Sequence, residues 1–247
     1  MRIKQIKNYI PKNERVSFRY SSKSNLCIVA PHGFDDINTG EIAWLLSERL
    51  DCSSVVNWGW KRDVNPDFNN SIANCNNVSH VNNGVTYDEF LKPIIQIVSS
   101  RPRCFILNIH GCSDDSLKKK QNLDIIIGYG GTKINQFISC DEWNRNLLHY
   151  NINAKTSLYC LFAHENSKFA GGSENNLNQF FVRKYLNPSV KSLQLEIKAS
   201  VRQDYNLLVS NLEVALKSFV HATDEYEQWN KSNPNWMKKY NFEEFFI

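Results

Sequence analysis

Two histidines and one glutamate stand where this chain can do chemistry. The apolar run 26–30 leads into Pro31-His32-Gly33-Phe34-Asp35-Asp36, the run 104–109 ends in His110-Gly111, and the run 192–197 carries Glu196 inside it. Short apolar runs bounded by turn residues are signals of buried strands. All three groups would then emerge at one edge of a sheet. Zinc accepts nitrogen and oxygen donors, and a catalytic site keeps one position open for water. A His-x-x-Asp pair leaving a strand suits it: His32 and Asp35 turn toward one point, and His110 arrives from a neighbouring strand as third donor. Water completing the shell would have its pKa lowered toward ~7. Glu196 is costly to bury unpaired. It would serve as general base, taking the water proton and passing it to a leaving amine. The expectation is one zinc ion and hydrolysis of an amide bond.

Other readings weigh against each of these. A lone strand-end histidine is usually structural, but two of them, each followed by glycine and each ending an apolar strand, point to a shared site. Glu196 on an edge strand would simply face solvent. Of Asp35, Asp36 and Glu41, at most one is a direct ligand; the others would be charges that favour a helix N-terminus. His164, after the apolar run 158–163, is a reserve candidate for a polar substrate contact. The turn Ala170-Gly171-Gly172-Ser173 lacks the Gly-Lys-Ser/Thr ending of a phosphate loop, so it reads as a tight turn that could shape a pocket. Cys112 lies close to His110, but no second histidine is placed to activate it as a nucleophile.

The elements that must position these residues follow from periodicity. Strand signals cover 26–30, 54–57, 104–109, 125–128, 157–162 and 192–197. Helical spacing of apolar residues covers 40–50, 86–99, 174–185 and 203–220. Alternating strands and helices predict an α/β fold, with a mainly parallel or mixed central sheet and helices on both faces. In such sheets sites lie beyond the carboxyl ends of the strands, where the two histidines fall. Residues 65–83 form a long, asparagine-rich excursion, and loops of that length are usually functional or mobile. Residues 1–247 read as a single domain. The aromatic-rich extension 224–247 would pack back on it or form a subunit contact in a homo-oligomer.

The bulk composition excludes several classes. Only Lys118-Lys119-Lys120 forms a tight basic run, and a net charge of +4 is too dilute for a nucleic-acid face. A mild positive field suits an anionic substrate instead. No stretch approaches a membrane span. The seven cysteines are odd in number and contain no CxxC pair, which fits a cytoplasmic protein with reduced thiols.

A resemblance then appears. The segment from Ala30-Pro31-His32-Gly33-Phe34-Asp35-Asp36 through Glu41-Ile42-Ala43, the later Asn108-Ile109-His110-Gly111, and Leu193-Gln194-Leu195-Glu196-Ile197 followed by Arg202 resemble the N-formylglutamate amidohydrolase family. That family is a branch of the zinc carboxypeptidase-like group, with its phosphorylase/hydrolase-like fold. The resemblance runs in order from about residue 26 to 220. It implies a zinc-dependent hydrolase of C–N bonds in a small acidic amide or peptide substrate. Relatives also cut poly-glutamate. Arginines of such sites hold the substrate carboxylate with a bidentate fork, a role that falls here to Arg202 and, less directly, Arg62. The group typically uses His-x-x-Glu, where this chain has Asp35, with Asp36 as the alternative. A carboxypeptidase, a poly-glutamate hydrolase, or a binding protein that has lost catalysis are the competing expectations.

Overall fold

A computed structural model describes residues 15–67, 69–117, 122–131, 137–164, 166–184 and 190–232, with backbone alone for 226–232. The strands are β1 (Val16–Arg19), β2 (Leu26–Ala30), β3 (Ser53–Asn57), β4 (Cys104–Cys112), β5 (Ile125–Gly128), β6 (Cys160–Phe162) and β7 (Val190–Lys198). They form one seven-stranded sheet in the order β1-β3-β2-β4-β7-β5-β6. Strands β3, β2, β4 and β7 run parallel, β1 is antiparallel to β3, β5 is antiparallel to β7, and β6 is parallel to β5. The sheet is therefore mixed, as the pattern of elements predicts.

Period-two alternation gives each central strand two working faces. Along β4, Phe105, Leu107 and Ile109 join the core on one side, while Cys104 and Ile106 join the core on the other. The first face is covered by α1 (Thr39–Arg49), α3 (Glu142–Lys155) and the long α6 (Tyr205–Ser232), through Leu46, Leu148, Leu212 and Phe219 among others. The second face is covered by α2 (Lys92–Ser99), which continues a π-helical turn at Tyr87–Leu91, and by α4 (Leu177–Lys184). A short α5 (Ala199–Gln203) links β7 to α6.

Several boundaries differ from the sequence pattern. β1 is a four-residue edge strand with Phe18 exposed, too short for a periodic signal. α3 lies outside the helices that apolar spacing predicts, because polar residues interrupt its stripe; Asp141 caps it by accepting the backbone N–H of Asn144 at 3.0 Å. β4 does not stop at Ile109 but continues through Cys112, because Glu196 and its neighbours on β7 supply a pairing edge that no local pattern reveals. Among the described residues, no helix is long and apolar enough to cross a membrane. Lys118 to Lys120 and the aromatic tail beyond residue 232 lie outside the described residues.

Candidate metal centre

β3 lies on one side of β2 and β4 on the other. The chain therefore reverses its winding between β2 and β4, where open α/β sheets place their sites. His32 leaves the end of β2, and His110 lies inside β4. Their rings meet edge to face, with centroids 5.0 Å apart and planes at 80°. On the next strand, Glu196 is the register partner of His110. Cross-strand partners project from the same face, so the acid stands beside the imidazole.

The carboxylate that the fold brings to the two rings is Asp36 rather than the expected Asp35. After His32 the chain makes one helical turn, with the N–H groups of Asp35 and Asp36 both donating to the His32 carbonyl, at 3.0 and 2.7 Å. Residues four apart on such a turn share a face. Asp36 Oδ2 thus lies 3.5 Å from His32 Nδ1 and accepts the Gly111 N–H at 3.0 Å. Asp35 points away, with its Oδ2 accepting the backbone N–H of Arg62 at 2.6 Å. Glu41 sits in the first turn of α1. His32, Asp36 and His110, all buried, each offer a donor atom, and these atoms lie within 4.8 Å of one another. They could hold a metal ion.

A buried polar atom tests the fit. Nε2 of His110 has no hydrogen-bond partner, and an orphan of that kind is costly unless something outside the chain satisfies it. Burial pushes the His110 pKa down to about 3, with the His32 charge adding to the effect, so its imidazole is neutral and free to coordinate. Burial works against the Asp36 carboxylate, but the His32 contact, the nearby histidine charges and the Gly111 N–H outweigh it and bring the pKa to about 2. Two imidazoles and one carboxylate suit zinc. The orientation of the His32 ring is also set. Asn74 Oδ1 accepts the Asn76 N–H at 3.0 Å, so it is the oxygen, and His32 Nε2, 2.9 Å away, must donate to it. Nδ1, on the Asp36 side, is then the nitrogen that a metal would take. Orienting partners of this type are usually worth 10–100-fold in metal affinity. Asn74→Ala is expected to weaken zinc binding by about that factor with little change in fold, measured by competition with a chelator. Unchanged affinity would remove Asn74 from the site.

Glu196 is nine-tenths buried. Burial, reinforced by the Asp36 charge, raises its pKa to about 8, against opposing pulls from Arg62, Lys168 and Arg202. The pH dependence of the metal-free protein follows. For Glu196 the folded pKa lies above the unfolded 4.5, so its contribution is present at low pH and is lost as pH rises toward 8. For His110 the folded pKa lies below 6.5, so its contribution is present above 6.5 and is lost as pH falls toward 3. The two slopes oppose each other between 4.5 and 6.5 and cancel there. Stability of the metal-free chain is expected to be flat across that window and to fall from about 6.5 to 8. Melting temperatures in chelator would show this, and Glu196→Gln should abolish the alkaline fall.

Around these groups lies a cavity of about 700 Å³. Arg62 and Arg202 both line it, yet they differ. Arg62 is half exposed, with Nη1 3.3 Å from His32 Nδ1 and 3.5 Å from Asp36 Oδ1. Arg202 is buried, and its guanidinium donates to the carbonyls of Ile197, Cys112 and Ile37. It packs where a Cβ on Gly111 would come within 2.4 Å, so it braces the ends of β4 and β7 with much of its fork already used. Lys168, exposed at the rim, is a cation the sequence pattern did not single out. His164 is exposed, accepts the Asn166 N–H at 3.2 Å and does not line the cavity. Burial pushes the Cys112 thiol up to about 11, leaving it protonated and a poor nucleophile. The asparagine-rich excursion reaches the site through Asn74 and Asn76.

The fold is an α/β architecture that solved hydrolases use. It matches a bacteriophage poly-γ-glutamate hydrolase with a TM-score of 0.52 at 18% identity, over 92% of this chain and 97% of that one. It matches an N-formylglutamate amidohydrolase from Ralstonia eutropha with a TM-score of 0.50 at 9% identity, over 87% and 98%. A gene product of Agrobacterium tumefaciens matches with a TM-score of 0.55 at 12% identity, over 87% and 95%. At such identities the likeness concerns the fold. The sequence matches no protein-family model, and no curated protein sequence resembles it.

Proposed function

We propose that this chain is a zinc-dependent hydrolase of C–N amide bonds in an acidic amide or peptide substrate. The observation that carries the reading is the convergence of His32, Asp36 and His110 donor atoms within 4.8 Å, beside an orphaned imidazole nitrogen. A zinc ion held there would polarise the scissile carbonyl and acidify a water. The chain's own groups do the rest. Beside a zinc charge Glu196 would return to its ionised form, and the carboxylate then takes a proton from the attacking water and delivers it to the departing nitrogen, which leaves as an amine. Arg62, with no fold-bracing bonds like those of Arg202, is the better placed of the two to grip a substrate carboxylate or the polarised carbonyl oxygen. Lys168 adds positive charge at the rim. His32, Asp36, His110 and Glu196 are themselves buried, which strengthens the interactions among them.

Cavity size favours one substrate class within this reading. A volume near 700 Å³ lies well inside the ~300–1,000 Å³ of sites that engulf drug-sized ligands. That is roomy for a single acylated amino acid and suits a chain of several residues. Poly-γ-glutamate is therefore the first probe and N-formyl-L-glutamate the second. Zinc-loaded protein is expected to shorten the polymer, with a chelator stopping the reaction and added zinc restoring it. Protein that takes up no zinc, and whose melting temperature zinc does not raise, would end the hydrolase reading. Protein that binds zinc but cleaves neither probe would point to a binding protein on the same scaffold. The compartment expected from the free cysteines remains cytoplasmic, and all seven are unpaired and buried.

A further inference from the structure

Behind Glu196 runs a line of buried polar side chains that the reaction as described does not use. Ser192, Gln194 and Glu196 project from the same face of β7, and Asn108 from the adjoining position of β4. Asn178 of α4 closes over them. Asn108, Asn178, Ser192 and Gln194 are each at most 1% exposed. Burying a row of neutral amides so deep in a core is costly; apart from Asn108 Oδ1, which has no partner, the amides are bonded, and the bonds all run one way. Asn108 Nδ2 donates to the Leu193 carbonyl at 3.3 Å and to Asn178 Oδ1 at 2.6 Å. The Ser192 hydroxyl donates to the same Asn178 oxygen. Asn178 Nδ2 donates to Gln194 Oε1 at 3.1 Å. Gln194 Nε2 donates to the Phe169 carbonyl at 2.9 Å and to Glu196 Oε1 at 3.1 Å.

The sense of the line is not free to reverse. Backbone carbonyls only accept, so Leu193 fixes the Asn108 amide at one end and Phe169 fixes the Gln194 amide at the other. With both ends pinned, a donor must face Glu196 Oε1. Gly171 shows how closely the line is enclosed: a Cβ there would come within 2.6 Å of Asn178 Nδ2 and 2.7 Å of Gln194 Oε1, and its φ is +69°. The glycine-rich turn at 170–173 thus serves as the lid of this line.

We propose that Gln194 is a positioning residue for the general base: its amide holds Glu196 Oε1 as a permanent acceptor, so that Oε2 is the oxygen that exchanges protons with water and leaving group. This deepens the hydrolase reading and rests on it. Aligned amides polarise one another, so the donor at Glu196 is stronger than an isolated amide. A carboxylate with one oxygen tied back presents the other in a single direction, which is what proton transfer in a fixed geometry needs.

The test uses Gln194→Met, similar in size but without donors, and Gln194→Glu, which keeps the shape and adds a competing acid. In zinc-loaded protein acting on poly-γ-glutamate, kcat is expected to fall about 10–100-fold, as for other residues that orient a catalytic group, while KM and zinc content stay unchanged. A second readout needs neither zinc nor turnover. In metal-free protein at mildly acidic pH, infrared spectroscopy shows the C=O stretch of the protonated Glu196, identified by its disappearance in Glu196→Gln. Loss of the Gln194 donor is expected to move that band to higher frequency. An unmoved band, or a variant that loses zinc or raises KM with kcat intact, overturns the proposal. If the wild type cleaves no probe, the hydrolase reading fails, and the infrared band still decides whether Gln194 holds Glu196. If the methionine variant fails to fold, Gln194→Leu carries both measurements.

Discussion

His110→Ala is expected to abolish useful zinc binding. Removing even an orienting partner of a zinc ligand costs 10–100-fold in affinity, so loss of one of three protein donors should exceed ~100-fold. At a fixed free zinc concentration well above the wild-type Kd, a 100-fold weaker site gives up about 2.7 kcal/mol of zinc-dependent stabilisation. The zinc-induced rise in melting temperature should therefore shrink or vanish. The same experiment separates the two neighbouring aspartates. Asp36→Asn removes a donor that lies 3.5 Å from His32 Nδ1 and is expected to behave like His110→Ala. Asp35→Asn alters only a bond to the Arg62 backbone N–H and should keep the zinc response. If Asp35→Asn lost zinc and Asp36→Asn kept it, the geometry of the turn after β2 would have been misread.

Glu196→Gln is expected to do the opposite: keep zinc and lose turnover. The amide has nearly the same shape and leaves all three donors in place, but it cannot accept the water proton. General-base catalysis is typically worth 10²–10⁴-fold, so kcat should fall by about that much with metal content unchanged. The variant also loses the one acid near the centre whose pKa burial raises to about 8. Full activity in Glu196→Gln would transfer the base role elsewhere; among the described residues, the other acid beside the two rings is Asp36.

Much of this centre could be read along the chain. His32 and His110 declare themselves because each follows a mostly apolar run and each is followed by glycine, and two such histidines together point to a shared site. Glu196 is legible because a charge inside such a run needs a purpose. The helices expected over 40–50 and 203–220 carry regular apolar spacing, and they form at Thr39–Arg49 and Tyr205–Ser232. Gln194 was open to the same reasoning: Ser192, Gln194 and Glu196 alternate strictly with Leu193, Leu195 and Ile197, which assigns the polar three to one face. β1, α3 and the length of β4 escaped because their stability comes from pairing edges and packing surfaces that lie far away in the chain.

Sequence by itself determined the α/β layering and singled out His32, His110 and Glu196, since these rest on local periodicity and on the high cost of burying charge. Tertiary structure alone decided how they are used. One hydrogen-bonded turn selects Asp36 over Asp35, because backbone geometry brings the fourth residue, not the third, back over the first ring. Asn74 reaches His32 across 42 residues of chain, and Arg202 is drawn into bracing carbonyls of β4 and β7. Such pairings depend on which loops and strands become neighbours, a property of the assembled sheet that no stretch of residues contains.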